Sequence, residues 1–364
     1  MTTPARPLLS VCIPCRKRWP EAFGLVAEAQ VHSLPEGSVE VCISLSGVED
    51  VPSELAGLAS SGVSTRLSGS DVSFGDNLRS SVGMARGEWC VIMGDDDRMS
   101  ASDMRMLIGE IAGLPPEVRM TTLGIIGRPR KKQVSRRSVA MRCGSMSGLL
   151  FRRNELLETL QHAEAVFPGS IYPQIWAGLS HCDVKAVPIL RAEVHFGGSS
   201  THAADAFFDH MSRPHDFGVG ERLFWAMKGG KEGLLTVVER EILLLNIFTW
   251  SQAIRQRLSD SNETALATAF TEQVRRSGES HCGRPRTTLF MSLASAFLRV
   301  QAMMERFKNP SGTDRTGSRR SGPSGSDRRA PRRASLGDVA RGRRRFWHRR
   351  STRTPTPVRA ASRG

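Results

Sequence analysis

Apolar and polar positions alternate between two rhythms along the first two hundred residues. Leu8 to Pro14 (LLSVCIP) is a short apolar run closed by proline, and Val39 to Leu45 (VEVCISL) is a second, closed by Ser46-Gly47-Val48-Glu49-Asp50. Runs of this length ended by turn residues read as buried strands. Between them, Ala22, Leu25, Val26 and Ala29 recur at helical spacing behind Trp19-Pro20, which predicts a helix over Pro20 to Ser33 with proline in its first turn. Strand, helix and strand in so short a span imply a right-handed βαβ unit and a parallel sheet. Glu54 to Ser60 then predicts a helix, Val63 to Leu67 an edge strand, and Leu78 to Arg86 a helix stopped at Gly87. Trp89 to Met93 is a central strand ending at Gly94. Ser100, with Asp103 three residues on, starts a helix over Ser102 to Leu114 that Pro115-Pro116 ends.

Further on, Val118 to Ile126 reads as a strand, and Arg128 to Arg137 (RPRKKQVSRR), with six basic residues, as a loop: either a solvated one or a flap that meets phosphates. Val139 to Met141 and Ser147 to Phe151 are expected as strands around Gly144 and Gly148. Asn154 to Ala165 is a helix, a second begins near Ile175 to Leu179 after a Pro/Gly-rich turn, and Val184 to Leu190 is a late strand. Beyond His195-Phe196-Gly197-Gly198 the pattern is helical: Ala203 to Met211, Gly220 to Met227, Leu234 to Leu258, Glu263 to Arg276 and Thr287 to Phe307. Ile242, Leu243, Leu245, Ile247 and Phe248 surround their helix with apolar groups, so it should be buried. These elements divide the chain into an α/β domain over 1–199, with a mostly parallel sheet flanked by helices, a helical region over 200–307 and a tail over 308–364. The tail is Arg, Ser, Gly and Pro, too poor in apolar residues to fold, and is expected to be disordered.

Charge changes this picture in one place. The 364 residues carry a formal charge of +15, but from Lys308 onward there are 17 Lys and Arg against three Asp, so the body is nearly neutral. The basic balance therefore belongs to the tail, and a nucleic-acid footprint over the whole protein is not supported. Seven cysteines without framework spacing suggest a reducing, cytoplasmic setting. Cys12-Ile13-Pro14-Cys15 is formally a C-x-x-C, but no second pair completes a zinc site, and Cys12, Cys42 and Cys90 sit in apolar runs as small hydrophobes. The amino terminus lacks a signal-type apolar stretch, and no run is long enough to span a membrane. The nearest, Leu289 to Met304, carries Arg299 and reads as a helix.

The chemistry centres on Asp95, Asp96 and Asp97, released just after the strand Trp89 to Met93. Ends of parallel strands are where α/β proteins place ligands, and crowded carboxylates there suit Mg²⁺ or Mn²⁺ holding a phosphate. The competing explanation is a solvated acidic turn capping the next helix.

Four segments in a fixed order then resemble the family 2 glycosyltransferases of the GT-A fold: LSVCIPCRKR (Leu9 to Arg18), VEVCISLSGVED (Val39 to Asp50), DNLRSSVGMARGEW (Asp76 to Trp89) and VIMGDDDRMS (Val91 to Ser100). The similarity is greatest to the branch related to abequosyltransferases, whose aspartate loop often begins with a small residue, as Gly94 does here. It covers roughly Leu8 to Phe196. It implies a Rossmann-like sheet and inverting, metal-dependent transfer from a nucleotide-diphosphate sugar to a glycan or glycolipid hydroxyl, in cell-surface polysaccharide or glycoconjugate synthesis. By position, Pro14, Cys15, Arg16 and Arg18 would line the donor, and Asp50 is the best match for the acid after the second strand. The family usually places that acid directly after the strand, where this chain has Leu45, so uridine, thymidine, guanosine and cytidine donors stay open. Asn77 and Arg79 match the segment near the pyrophosphate; the alternatives are an N-cap and an exposed helical arginine. The D-x-D equivalent falls on Asp95 to Asp97, with Asp95 on the donor, Asp96 as first metal ligand and Asp97 beside it, holding Mn²⁺ or Mg²⁺. His195 is a possible third ligand or a hydrogen-bonded structural residue. Ser147, Gly148 and Tyr172 fall on the acceptor side, though Tyr172 could equally be a half-buried helix start.

The sequence departs from the family where the base should be. The family commonly supplies it from an E-D pair near the segment that here reads PGSIYPQIW, and no such pair is present. Glu164 and Asp183 are the nearest acids, followed by Glu193. Two other classes therefore stay in view. Nucleotidyl transfer would need a glycine-rich loop after the first strand, where this chain has PCRKRWP. A degenerate GT-A domain would be a binding protein whose arginine tail contacts nucleic acid or another polyanion. A peripheral contact of the helical region with the cytoplasmic face of a membrane is a further open partner.

Overall fold

The computed structural model describes residues 6–17, 19, 20, 22, 37–58, 62–70, 72–126, 133–182, 186–196, 218–260 and 262–308. The expected helices over Pro20 to Ser33 and Ala203 to Met211, the basic residues 127–132, Arg18, Asp183 and the tail lie wholly or largely outside the described residues.

The strands are β1 (Leu9–Arg16), β2 (Val39–Ser46), β3 (Val63–Leu67), β4 (Trp89–Ile92), β5 (Met120–Ile125), β6 (Gln133–Ser135), β7 (Leu149–Arg152) and β8 (Ala186–Val194). They form one sheet in the order β3-β2-β1-β4-β7-β5-β8-β6. β1 pairs in parallel with β2 and β4, β2 with β3, and β5 with β8, while β7 runs antiparallel between β4 and β5 and β6 antiparallel against β8. Two reversals in succession restore the direction, so β5 and β8 run the same way as β1, β2 and β4. Their carboxyl ends therefore share one edge of the sheet.

Side chains alternate across this sheet as the pleat requires. Leu9, Val11, Ile13 and Cys15 of β1 face one core with Val41, Ile43, Trp89 and Val91, and Cys12, Cys42, Cys90 and Ile92 face the other. The first core is covered by α1 (Ser53–Ala56) and α3 (Ala101–Ala112). The second is covered by α2 (Phe74–Met84), α4 (Arg136–Cys143), α5 (Arg153–Val166), α6 (Pro173–His181), α7 (Val219–Lys231), α8 (Val237–Asp260), α9 (Thr264–Cys282) and α10 (Arg284–Lys308). On a strand, residues three apart point to opposite faces. The C-x-x-C of Cys12 and Cys15 thus puts its thiols in different cores, where both are fully buried and neither is in a disulfide. Burial pushes the Cys42 and Cys143 thiols well above their ordinary range, which disfavours the thiolate.

Ser100 caps its helix as the sequence suggested, its Oγ accepting from Asp103 N at 3.0 Å. Ser73 Oγ accepts from Asp76 N at 3.0 Å, so α2 begins at Phe74, ahead of the expected Leu78, and Asn77 lies inside the helix and is not its N-cap. Thr236 and Glu239 form a reciprocal capping box ahead of α8, and no residue from 239 to 254 on that helix is exposed. One expectation is corrected: Val139 to Met141 is not a strand but part of α4. Val139, Ala140 and Cys143 are buried there at helical spacing against α6, and a short apolar segment does not by itself distinguish the two periods. The tail of the expected basic loop likewise forms β6 and the start of α4.

Glu40 on β2 fastens the entry to β4. It is 2 % exposed and accepts from Ser10 Oγ at 2.6 Å, Gly87 N at 3.0 Å, Arg86 Nε at 2.9 Å and Arg86 N. Burial raises its carboxyl, but these bonds outweigh burial and hold it below its ordinary value. Glu40→Ala is expected to cost about 2–4 kcal/mol in urea unfolding at neutral pH. Because the folded-state value is depressed, that contribution is present above the ordinary carboxylate range and lost as the pH falls through the lower folded value. The gap between wild type and variant should narrow below about pH 4.

Candidate functional site

The shared sheet edge collects most of the residues singled out by sequence. β1 and β2 end side by side, with Arg16 opposite Ser46, and β4 ends next to them with Ile92 opposite Cys12. Pro14 and Cys15 lie inside β1 and not in its exit loop, and Cys15 is fully buried. What they present at the edge is backbone. Asn77, 3 % exposed in the first turns of α2, donates from Nδ2 to Cys15 O at 3.1 Å and to Ser46 Oγ at 3.3 Å. It ties the ends of β1 and β2 to α2, while its Oδ1 is buried without a hydrogen-bond partner. Asp50 is exposed in the loop beyond β2.

The aspartate loop leaves the same edge from β4. Asp95 is 2 % and Asp97 9 % exposed, whereas Asp96 is half-buried and so the most accessible of the three. Ser147, fully buried, accepts from Gly94 N at 2.7 Å and donates to the Asp97 carboxylate, which fixes the turn at its base. Gly148, with φ +77°, donates from N to Ile92 O at 2.9 Å as the chain enters β7. The antiparallel direction of β7 is what brings Ser147 and Gly148 here, since the start of β7 faces the end of β4. β8 ends beside them: Arg98 and His195 exchange backbone hydrogen bonds at 2.8 and 2.9 Å, so His195 is exposed directly alongside the aspartate loop.

Among the described residues no three His, Cys, Asp or Glu side chains gather into a metal cage. Magnesium is commonly held by one or two carboxylates with phosphate oxygens completing the shell. The hard oxygens of a fixed Asp97 and an accessible Asp96 fit that mode, and do not fit a soft-metal one.

A cleft of about 150 Å³ is lined by Phe74, Gly144, Met146, Ile171, Tyr172 and Gln174. Met146 precedes Ser147 in the chain, and Phe74 opens the helix that carries Asn77. Gln174, in the first turn of α6, is 2 % exposed, and its Oε1 is buried with no hydrogen-bond partner. A buried amide oxygen left unpaired costs about 1–3 kcal/mol. The cleft wall is set from α7. Glu221, 3 % exposed, accepts from Ile171 N at 2.7 Å, Tyr172 N at 2.8 Å, Trp225 Nε1 at 2.9 Å and Ser170 Oγ. Burial outweighs these bonds and raises its carboxyl. Arg222 lies 4.3 Å from the ring centres of both Tyr172 and Trp250 and donates to Gly144 O at 3.1 Å. Tyr172 is therefore a pinned wall residue. Glu221 and Arg222 carried no sequence signal beyond a helical pattern, and Gln174 was visible only as the residue after Pro173.

Arg79 and Glu164 are brought together. Arg79 pairs with Asp76 and stands 4.0 Å from Glu164, whose Oε1 accepts from Gly169 N at 2.9 Å. Glu164 thus shapes the loop that leads into α6. Glu193 lies on β8, with its N–H donating to Asp103 at 3.1 Å.

No protein-family profile matches the sequence, and no curated protein does either. Solved structures do. The chain is similar to S. aureus TarS 1-349 in complex with UDP-GlcNAc, with a TM-score of 0.53 and 12 % identity over 80 % of this chain and 92 % of that one. It also aligns with the mannosyltransferase PcManGT from Pyrobaculum calidifontis in complex with GDP-Man and Mn²⁺, with a TM-score of 0.42 and 14 % identity over 84 % of this chain and 82 % of that one. The fold is that of the GT-A glycosyltransferases, a mixed, mostly parallel sheet flanked by helices and followed by a helical region.

Gly94 tests the geometry of the aspartate loop. A Cβ there would stand 2.7 Å from Asp97 Oδ2 and 3.1 Å from Ser147 Oγ, whereas one on Gly109 of α3 would meet nothing within 4 Å. Gly94→Ala is expected to lose about 1–3 kcal/mol in chemical unfolding, while Gly109→Ala gains about 0.5–1 kcal/mol.

Proposed function

We propose that this protein transfers a sugar from a nucleoside-diphosphate sugar to a hydroxyl acceptor, with inversion and with help from a divalent cation, in the synthesis of a cell-surface polysaccharide or glycoconjugate. The observation that carries the reading is an aspartate loop fixed by Ser147 at the shared carboxyl edge of the sheet, beside the ends of β1 and β2. The sequence resemblance to family 2 enzymes and the shared fold with TarS, whose structure holds UDP-GlcNAc, support a nucleotide-sugar donor.

In this reading the donor lies along the ends of β1 and β2. Arg16 and Asp50 flank the nucleoside, Asn77 holds the two strand ends in register beneath it, and Asp95 orients the donor from its buried position. Asp96, with Asp97 behind it, would hold Mn²⁺ or Mg²⁺, which supplies charge stabilisation to the departing diphosphate. The acceptor enters the cleft, where its hydroxyl forms the new bond to the anomeric carbon as the bond to the diphosphate oxygen breaks. Gln174 Oε1 accepts a hydrogen bond from a second hydroxyl of the acceptor and so orients it, at the gain of pairing a group otherwise buried unsatisfied. The attacking hydroxyl must pass its proton to a carboxylate. Glu164 and Glu193 are the described candidates, and taking that role would require Glu164 to give up Arg79 and Gly169.

A thermal-shift screen of uridine, thymidine, guanosine and cytidine diphosphates, with and without Mn²⁺, tests the donor side. One nucleotide is expected to raise the melting temperature more with Mn²⁺ than alone, since a ligand at 100 times its Kd stabilises by about 2.7 kcal/mol. Asp96→Asn should remove the metal-dependent part, and no shift with any of the four would overturn the reading. On the acceptor side, Gln174→Leu should stabilise the free protein by about 1 kcal/mol in urea unfolding, by removing the unpaired oxygen, while sugar transfer falls and nucleotide binding stays unchanged.

A further inference from the structure

The helix α10 has two faces of opposite character. On one, Thr287, Phe290 and Ala294 are buried. Phe290 stacks on Phe248 with ring centres 5.6 Å apart, Arg286 pairs with Glu241, and Ser295 Oγ donates to Gln252 Oε1 at 3.5 Å. These contacts dock the helix along α8. On the other face Leu289, Leu293, Phe297, Val300, Met303, Met304 and Phe307 are all exposed, from 45 % at Leu293 to 76 % at Phe307. Leu289, Leu293, Phe297, Val300, Met304 and Phe307 recur at steps of three or four residues, so they form one stripe, roughly 27 Å long at the rise of an α-helix. Beyond Leu298 no described side chain of the helix is buried. Scattered surface apolar residues need no explanation, but a continuous stripe of this size marks a surface that is covered.

The sequence that follows indicates by what. Residues 309–364 contain 16 Arg against three Asp. An apolar stripe running directly into an arginine-rich segment matches a surface that is apolar just below a layer of negative charge. We infer that α10 lies along an anionic phospholipid surface, with its stripe at the boundary of headgroups and acyl chains and the arginines that follow neutralising the headgroups. A nucleic acid would answer the arginines and leave the stripe in water. A second copy of the chain would cover the stripe and leave the charge unanswered. An anionic lipid surface answers both. Among the described residues no helix is long and apolar enough to cross a membrane, so the contact is one of lying on the surface. This inference does not depend on the sugar-transfer reading.

The test is flotation of the full chain with vesicles of phosphatidylcholine alone and of phosphatidylcholine mixed with phosphatidylglycerol. Binding is expected to the mixed vesicles only and to weaken with salt. The combined variant Phe297→Ser, Val300→Ser, Phe307→Ser should reduce that binding about tenfold with an unchanged melting temperature, because the three side chains are exposed. Absence of binding to the mixed vesicles overturns the inference. So does a variant that floats like the parent, which would leave the arginines acting alone as a general polyanion binder. A parent that is dimeric by light scattering, with a monomeric variant of undiminished vesicle binding, would assign the stripe to a second copy instead.

Discussion

The short path from Gly94 N–H through the Ser147 hydroxyl to the Asp97 carboxylate is the contact on which the site depends. Three carboxylates in succession at the end of a buried strand repel one another, and a loop carrying them would open unless its backbone were held. Ser147 holds it from the opposite strand, and can do so only because β7 runs against β4 and delivers its first residues to that edge. The single reversal in an otherwise parallel half-sheet is thus not an irregularity of topology. It closes the aspartate loop, and a second reversal at β5 then lets β8 end beside it at His195.

That arrangement explains why this sheet edge was legible in the sequence. Strands end where apolar runs meet turn residues, and parallel strands put those ends on one edge, so the spacing of LSVCIP, VEVCISL and WCVIM already implied that the loops after them would meet. The three aspartates needed no structural information to be noticed. Asn77 was noticed too, but for a different role: its amide reaches backwards to Cys15 and Ser46, so it fixes the strand ends before it can touch any ligand. Arg79, expected near the pyrophosphate, pairs with Asp76 and stands 4.0 Å from Glu164.

Apart from Tyr172, the cleft wall was not legible, for a physical reason. Its wall is made by contacts between residues fifty to eighty positions apart, such as Glu221 with Ser170 to Tyr172 and Arg222 with Gly144. Each partner looks ordinary alone. Glu221 and Arg222 are the common charged residues of an amphipathic helix, and nothing in their neighbours says that both are buried. The error at Val139 to Met141 has the same origin, because whether a short apolar segment coils or extends is decided by what it packs against, here Ile175 and Leu179 in the same core as Val139.

The two sides therefore rest on different parts of the chain. The aspartate edge is built by the sheet and its ties through Asn77 and Ser147, while the cleft is shaped from α7, the first described helix beyond the sheet. Glu221 connects them: it gathers the N–H groups of Ile171 and Tyr172 and the hydroxyl of Ser170, and Ser170 O in turn accepts from Gly75 N at 2.9 Å at the start of the helix that carries Asn77. A change in the helical region that moved Glu221 would therefore reshape the cleft first and reach the strand ends only through α2. Asn77 is anchored to two of those ends and Asp97 to Ser147, so the aspartate edge is held by contacts that do not involve α7.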